Sequence, residues 1–346
     1  MGRKLAVNTQ LLWVVLALAF TSCSNPQGHE RVKEQDVWPI KEVSHFKNEL
    51  FPYQVESIIP VKNHLLLCEF GNDRISMVDT ALSEYKVLIH PGSGPNEVIA
   101  PLNFALDKDK FMVFSDSKRS LAEYKLPSGE YSASIKSEMS HGIFERFTVT
   151  SKKILYSDGN SSWSIIDRES GDQKSFNEYF DIDYLSEKER TARNTRHIIE
   201  YQNRFLAISA TEPIVEFLDE DGSLIERVEI PTTKSIDSRL RFRDQEFEMD
   251  VENRNATYYL FDDVFVDKNL LYGLIYYQDP ITQKTLNNKM VVYEVNGFEL
   301  LAKKEITLKN SYDGTFYSSI CTIDNGKKMI AYEAIGSSLQ VFKLNQ

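Results

Sequence analysis

The chain has 346 residues, 42% of them apolar, which is ample for a large core and too long for a typical single β-sandwich. Its formal net charge of −11, with no continuous basic patch, argues against nucleic acid as a partner, because the phosphates would be repelled. Aromatic residues are plentiful, 20 Phe and 17 Tyr, as sheet faces prefer.

From the N-terminus, the first pattern is a targeting segment. Arg3 and Lys4 make a positive start, and Leu11–Phe20 is an apolar run of ten, too short to span a bilayer. Small residues then precede a cysteine in Phe20-Thr21-Ser22-Cys23, which resembles the bacterial lipobox, with Phe20 standing where leucine is usual. The resemblance implies a lipoprotein signal peptide over residues 1–22, lipidation of Cys23, and an envelope location, expected at the outer membrane with the side left open. An ordinary secretory signal with an incidental cysteine is the other reading. Residues 23–35 are polar and are expected to be a flexible tether. Residues 36–346 remain for the folded domain.

Six hydrophobic strand triplets follow. Their third strands are Ile75–Asp79, Leu121–Leu126, Trp163–Asp167, Ile214–Asp219, Met290–Val295 and Leu339–Leu344, with starts roughly 46, 42, 51, 76 and 49 residues apart. Short strands repeating with a period in the forties predict a β-propeller. The last triplet lacks a fourth strand before the chain ends at Gln346, while Val37–Val43 is a spare strand at the N-terminus. The expectation is an all-β, six-bladed β-propeller whose ring is closed by that N-terminal strand. Pro39 is tolerated there because an outermost strand is an edge. No seventh triplet exists, and amphipathic helical stretches of ten or more residues are nearly absent, which disfavours an α/β fold.

Connections between blades hold the candidate sites. The loop His90-Pro91-Gly92-Ser93-Gly94-Pro95-Asn96-Glu97-Val98 resembles the GxGPxE-type signature of six-bladed, TolB-like propeller lipoproteins of Bacteroidota, and more distantly NHL-type propellers. That resemblance implies the fold and an envelope location, not an activity. Asp79-Thr80-Ala81 resembles the sites at which such organisms O-glycosylate exported proteins, which marks Thr80. Gly92 and Gly94 permit close backbone approach and Pro95 stiffens the loop. Glu97 is expected either to accept hydrogen bonds from loop amides, locking two blades, or to face the channel mouth and bind a cation or sugar hydroxyl.

Two longer insertions, Asp181–Thr195 and Pro231–Thr257, join outer strands to the next inner strands and so share one face with that loop. Ser186 and Glu189 have capping-box spacing, predicting a short helix. Arg239-Leu240-Arg241-Phe242-Arg243 alternates as a short strand would. Arg190, Arg193, Arg196, Arg239, Arg241, Arg243 and Arg254 lie in or beside these insertions, 7 of 15 arginines. They form either an anion-recognising face or ion pairs with neighbours such as Glu187, Glu189 and Asp244.

No G-x-S-x-G, H-E-x-x-H, C-x-x-C or P-loop pattern occurs, so no catalytic residue is assigned. His90, His141 and His197 each lie near the start of a blade and define the one candidate metal site; scattered, unrelated histidines are the other reading. Cys68 and Cys321 sit in apolar strands and read as separate buried thiols, with a disulfide the other option. Tyr258-Tyr259 and Tyr276-Tyr277 serve either as sugar-stacking platforms or as sheet packing. The functional expectation is a lipid-anchored module without a cofactor, binding a protein or glycan through its loops. The alternative is a metal-dependent hydrolase or lyase with an ion such as calcium in the channel.

Overall fold

The structure, a computed structural model, describes residues 32–46, 51–136, 145–158, 161–184, 186–249, 259–279, 284–310 and 315–344. The signal segment, Cys23, the tether as far as residue 31, His29, His141, Arg254 and Tyr258 lie outside the described residues.

Strands β1 (Lys33–Val37) and β2 (Pro39–Val43) come first. Blade one is β3 (Val55–Val61), β4 (His64–Glu69), β5 (Arg74–Asp79) and β6 (Tyr85–Pro91), with a short β7 (Glu97–Val98) alongside. Blade two is β8 (Pro101–Asp107), β9 (Lys110–Ser115), β10 (Ser120–Lys125) and β11 (Tyr131–Lys136). Blade three is β12 (Thr148–Val149), β13 (Lys153–Asp158), β14 (Ser161–Asp167) and β15 (Gln173–Phe176), followed by helix α1 (Glu187–Arg193). Blade four is β16 (Arg196–Tyr201), β17 (Arg204–Ser209), β18 (Ile214–Leu218) and β19 (Leu224–Glu229), followed by helix α2 (Lys234–Met249). Blade five is β20 (Phe261–Asp267), β21 (Leu270–Gln278), β22 (Thr285–Asn296) and β23 (Glu299–Leu308). Blade six is β24 (Tyr317–Ile323), β25 (Lys328–Glu333) and β26 (Ser338–Lys343).

The result is a six-bladed β-propeller. Successive side chains of a strand point to opposite faces, so each blade supplies two cores. In blade two, Met112 and Phe114 pack with blade three, while Phe111 and Val113 pack with blade one. Six buried clusters result, one between each pair of neighbouring blades, and the pairing of blade six with blade one closes the ring. Cys68 belongs to the core between blades one and two and Cys321 to that between six and one; both are free, buried thiols.

The expected closure is present, with β2 pairing antiparallel to β26 as the fourth strand of blade six. A second closure was not foreseen. β1 pairs parallel to β23, giving blade five a fifth strand, so Lys33–Gln35 belong to the sheet rather than to a tether. The segment Lys-Glu-Gln-Asp carries no apolar pattern, because an edge strand needs only backbone partners and one anchor, here the buried Val37. Residues 33–43 thus clasp blade five to blade six.

Arg239–Arg243 is helical, not a strand. Among the described residues of α2, Ser235, Ile236, Arg239 and Arg243 are buried and Leu240 partly so, a spacing of three and four that only a helix brings to one face. The alternation was misleading because arginines, rather than Leu240 and Phe242, are the most buried side chains of that stretch. Helix α1 forms as expected, with Ser186 accepting from Glu189 N at 3.1 Å.

Candidate functional site

The inner strands begin on the face that carries the insertions, and four of them begin with the same irregularity. In β3, β8, β20 and β24 the register with the second strand skips the second residue, which is Glu56, Leu102, Asp262 and Ser318 respectively. A bulge leaves that residue out of the ladder and re-aims its side chain. Three of these residues, Glu56, Asp262 and Ser318, together with His197 at the second position of β16, line one cavity of 390 Å3 at the channel mouth. Gln54, Glu145, Tyr259, Tyr276, Phe316 and Ala334 complete its wall. Tyr259 and Tyr276 stack with centroids 6.0 Å apart, and Phe316 meets Tyr276 edge-on at 5.9 Å.

The donors on this wall are engaged within it. Tyr259 donates to Glu145 Oε1 at 3.0 Å, Tyr276 is hydrogen-bonded to Asp262, and Ser318 Oγ donates to Val55 O at 2.7 Å. Asp262 also accepts from Asn287 Nδ2 at 2.6 Å. Among the described residues no cation lines the pocket, and burial makes Asp262 and Glu56 resist ionisation. Burial, then the charges of Asp263 and Glu56, raise Asp262 to about 8, and burial raises Glu56 to about 7. His197 accepts from Arg146 N at Nδ1, 3.2 Å away, which fixes the proton on Nε2, facing Phe261 O. Burial holds its pKa down at about 4, so it is neutral at pH 7.

These shifts make stability depend on pH. A carboxyl group whose native pKa is raised stabilises most below its unfolded value, and the contribution is lost as pH rises through about 7 to 8. Wild-type protein should therefore lose unfolding free energy between about pH 4 and 8 and level off above that, by at most about 1.4 kcal/mol per pH unit per group before solvent screening. Asp262→Asn should flatten that profile in urea titrations; an unchanged slope would count against the assignment.

Below the mouth, one hydrogen-bonded belt runs through all six blades. The Arg146 guanidinium donates to Asp263 Oδ1 and Oδ2 at 2.6 and 2.8 Å, to Ile320 O at 3.1 Å and, more weakly, to Ile58 O at 3.4 Å. Asp263 also accepts from Ser319 Oγ at 2.9 Å and Ile320 N at 2.8 Å, and Ser319 Oγ accepts from Ile58 N at 3.0 Å. Arg146 N reaches His197 of blade four, and Asn103 of blade two donates to Glu145 O at 3.0 Å. Arg146 also lines a separate, mostly apolar cavity of 180 Å3 deeper in the channel, among Ile59, Leu106, Val149, Ile199 and Val266.

The residues singled out from sequence lie around this site rather than in it. Gly94 N donates to Glu97 Oε2 at 2.7 Å, and Lys118 of blade two donates to the carbonyls of Gly94 and Glu97 at 3.0 and 2.8 Å. Glu97 therefore braces its own loop and ties blade one to blade two. Gly92 has φ +145°, and a Cβ there would lie 2.1 Å from Glu97 Oε2. Thr80 is half-buried in a turn that Asp79 holds by accepting from Ser83 N and Glu84 N, both at 2.6 Å. Arg193 pairs with Glu189 and Glu212, Arg196 with Glu216, and Arg243 with Glu212 and Asp244. Arg190 pairs with Glu187, and Arg241 is exposed, with Nε donating to Asp237 O. Arg239 donates to Tyr259 O at 2.9 Å, so α2 supports the pocket wall from behind. Of the three histidines, His197 is in the pocket and His90 is exposed. Among the described residues no group of three or more His, Cys, Asp or Glu is arranged to hold a metal ion.

The pocket carboxylates were missed, although a signal was present. Val55-Glu56-Ser57-Ile58, Phe261-Asp262-Asp263-Val264 and Tyr317-Ser318-Ser319-Ile320 each place two polar residues between apolar ones at the start of an inner strand.

No protein-family model matches the chain, and no curated protein is similar to it in sequence. Solved structures share its fold. A Bacteroides fragilis NCTC 9343 protein described as a "Putative exported protein" superposes with a TM-score of 0.52 at 11% identity, over 86% of this chain and 87% of that one. Virginiamycin B lyase from Staphylococcus aureus gives 0.50 at 10% identity, over 88% and 99%. U3-55K gives 0.50 at 9% identity, over 84% and 95%. At these identities the likeness is one of fold.

Proposed function

We propose that this protein is a lipid-anchored envelope module of the TolB-like and NHL-like propeller type, holding a protein or glycan partner at its channel mouth. The observation that carries the reading is the 390 Å3 pocket, a concave site with an aromatic wall and convergent polar groups on a rigid ring. Supporting the location are the lipobox-like Phe20-Thr21-Ser22-Cys23 and the fold shared with the Bacteroides protein described as a "Putative exported protein". The arginines of the insertions act on this reading as struts for the loops around the mouth.

Ala334→Trp tests it, because Ala334 lines the pocket without carrying its charge. Wild-type protein should capture a partner from envelope extracts or from a glycan array, and the variant should lose that capture at least tenfold. Equal capture would place the site elsewhere.

A further inference from the structure

We propose that the channel mouth accepts the ammonium group of a lysine side chain presented by a partner protein. The inference rests on the binding role proposed above and names the chemistry of that site.

Three observations converge. The first is a surplus of acceptors. Among the described residues three carboxylates and no cation line the cavity, and the hydroxyls of Tyr259 and Tyr276 are already bonded to two of those carboxylates. Glu56 faces the charge of Asp262 and gains no compensating partner among the described residues. A ligand that brings several N–H donors and a positive charge meets this surplus, and a neutral one does not. The second is the aromatic wall of Tyr259, Tyr276 and Phe316, which attracts a cation through its rings and packs the methylene stem.

The third is the rim. Gln54 and Ala334 line the pocket, and their neighbours in sequence, Tyr53 and Ile335, are exposed; with Phe51 and Phe70 they leave large apolar side chains 37 to 66% exposed. Phe70 N donates to Gln54 O and the Phe51 and Tyr53 rings meet at 6.4 Å, so the patch is continuous on blade one. An apolar rim around a charged pocket suits a protein loop whose lysine is flanked by apolar residues, rather than a free sugar.

Asp262 is faced by Glu56 from β3, Tyr276 from β21, Asn287 from β22, Asp263 on its own strand, and Tyr259 just before it. Apart from Arg146, which is paired with Asp263, and Arg239 of α2, whose charge acts on Tyr276, these groups are acidic or neutral, so a bound cation stabilises the ionised carboxylates and its uptake releases protons.

The test uses N-acetyl-lysine N-methylamide, its neutral counterpart N-acetyl-norleucine N-methylamide, and glucosamine, titrated into the purified protein by NMR. The lysine probe should bind at least tenfold tighter than either of the others. Its affinity should rise between about pH 6 and 8 and fall at least tenfold in Glu56→Gln/Asp262→Asn. Preference for glucosamine, equal binding of the norleucine probe, no binding of the lysine probe, or an unaffected double variant would each overturn the inference. Loss of partner capture in Ala334→Trp together with any of those results would sink the ammonium assignment alone; retained capture would sink the binding site itself.

Discussion

Replacing Arg146 by methionine is expected to lower the unfolding free energy by about 3–5 kcal/mol, because it leaves the buried Asp263 carboxylate without its cation. The guanidinium joins blade three to blades one, five and six, so the loss is felt around the ring rather than at one contact. Asp263→Leu alone should be as damaging, since it strands the buried guanidinium. The double variant Arg146→Met/Asp263→Leu should recover part of the loss, as replacing both members of a buried pair by apolar groups removes the unpaired charge. Recovery stays incomplete, because Ser319 Oγ, Ile320 N and Ile320 O still lose partners. Guanidinium-chloride unfolding of the three variants measures this. A single-variant loss under about 1 kcal/mol would show that the belt does not hold the ring.

The architecture was legible because a propeller repeats. Strand triplets with alternating apolar residues recur six times, and each recurrence constrains the others, so the blade count and closure by an N-terminal strand, expected over Val37–Val43 and found over Pro39–Val43, could be read without a structure. β1 was not legible, since a parallel edge strand with one buried side chain leaves almost no pattern. α2 was misread because two of its buried positions, Arg239 and Arg243, are arginines, which polarity alone assigns to solvent. The pocket was only half-legible, for a different reason: paired polar residues mark the starts of three inner strands, but nothing in the sequence says that they meet. Its carboxylates come from inner strands and loops about 90 and 120 residues apart, and only ring closure brings them together. The charges that stand out in the sequence, Glu97 and the described arginines of the insertions, are engaged locally. The bulged position that unites Glu56, Asp262 and Ser318 is a feature of register, which sequence spacing does not reveal.

Glu216→Ala should produce the second large effect, a loss of about 3 kcal/mol or more. Glu216 and Arg196 are both wholly buried, with Arg196 Nε donating to Glu216 Oε2 at 2.8 Å, and Arg227 Nε reaching Oε1 at 2.8 Å. Removing the carboxylate leaves Arg196 buried against the rings of Phe180 and Trp163, 4.1 and 5.7 Å away, with only carbonyl acceptors from Asn194 and Glu178. Burial already disfavours the charged form of Arg196, and Glu216 is its main compensation. Because Arg196 and Arg227 both donate to Glu178 O, the same change should loosen the connection before α1 and expose it to limited proteolysis. Arg196 directly precedes His197, so the pocket should loosen with it. Glu187→Ala is the matched control: its pair with Arg190 is largely solvent-exposed, and its removal should shift stability by less than about 0.5 kcal/mol. Equal effects of the two substitutions would show that burial does not set the strength of these pairs. A large loss in Glu216→Ala alone would establish the insertion arginines as structural members of the ring.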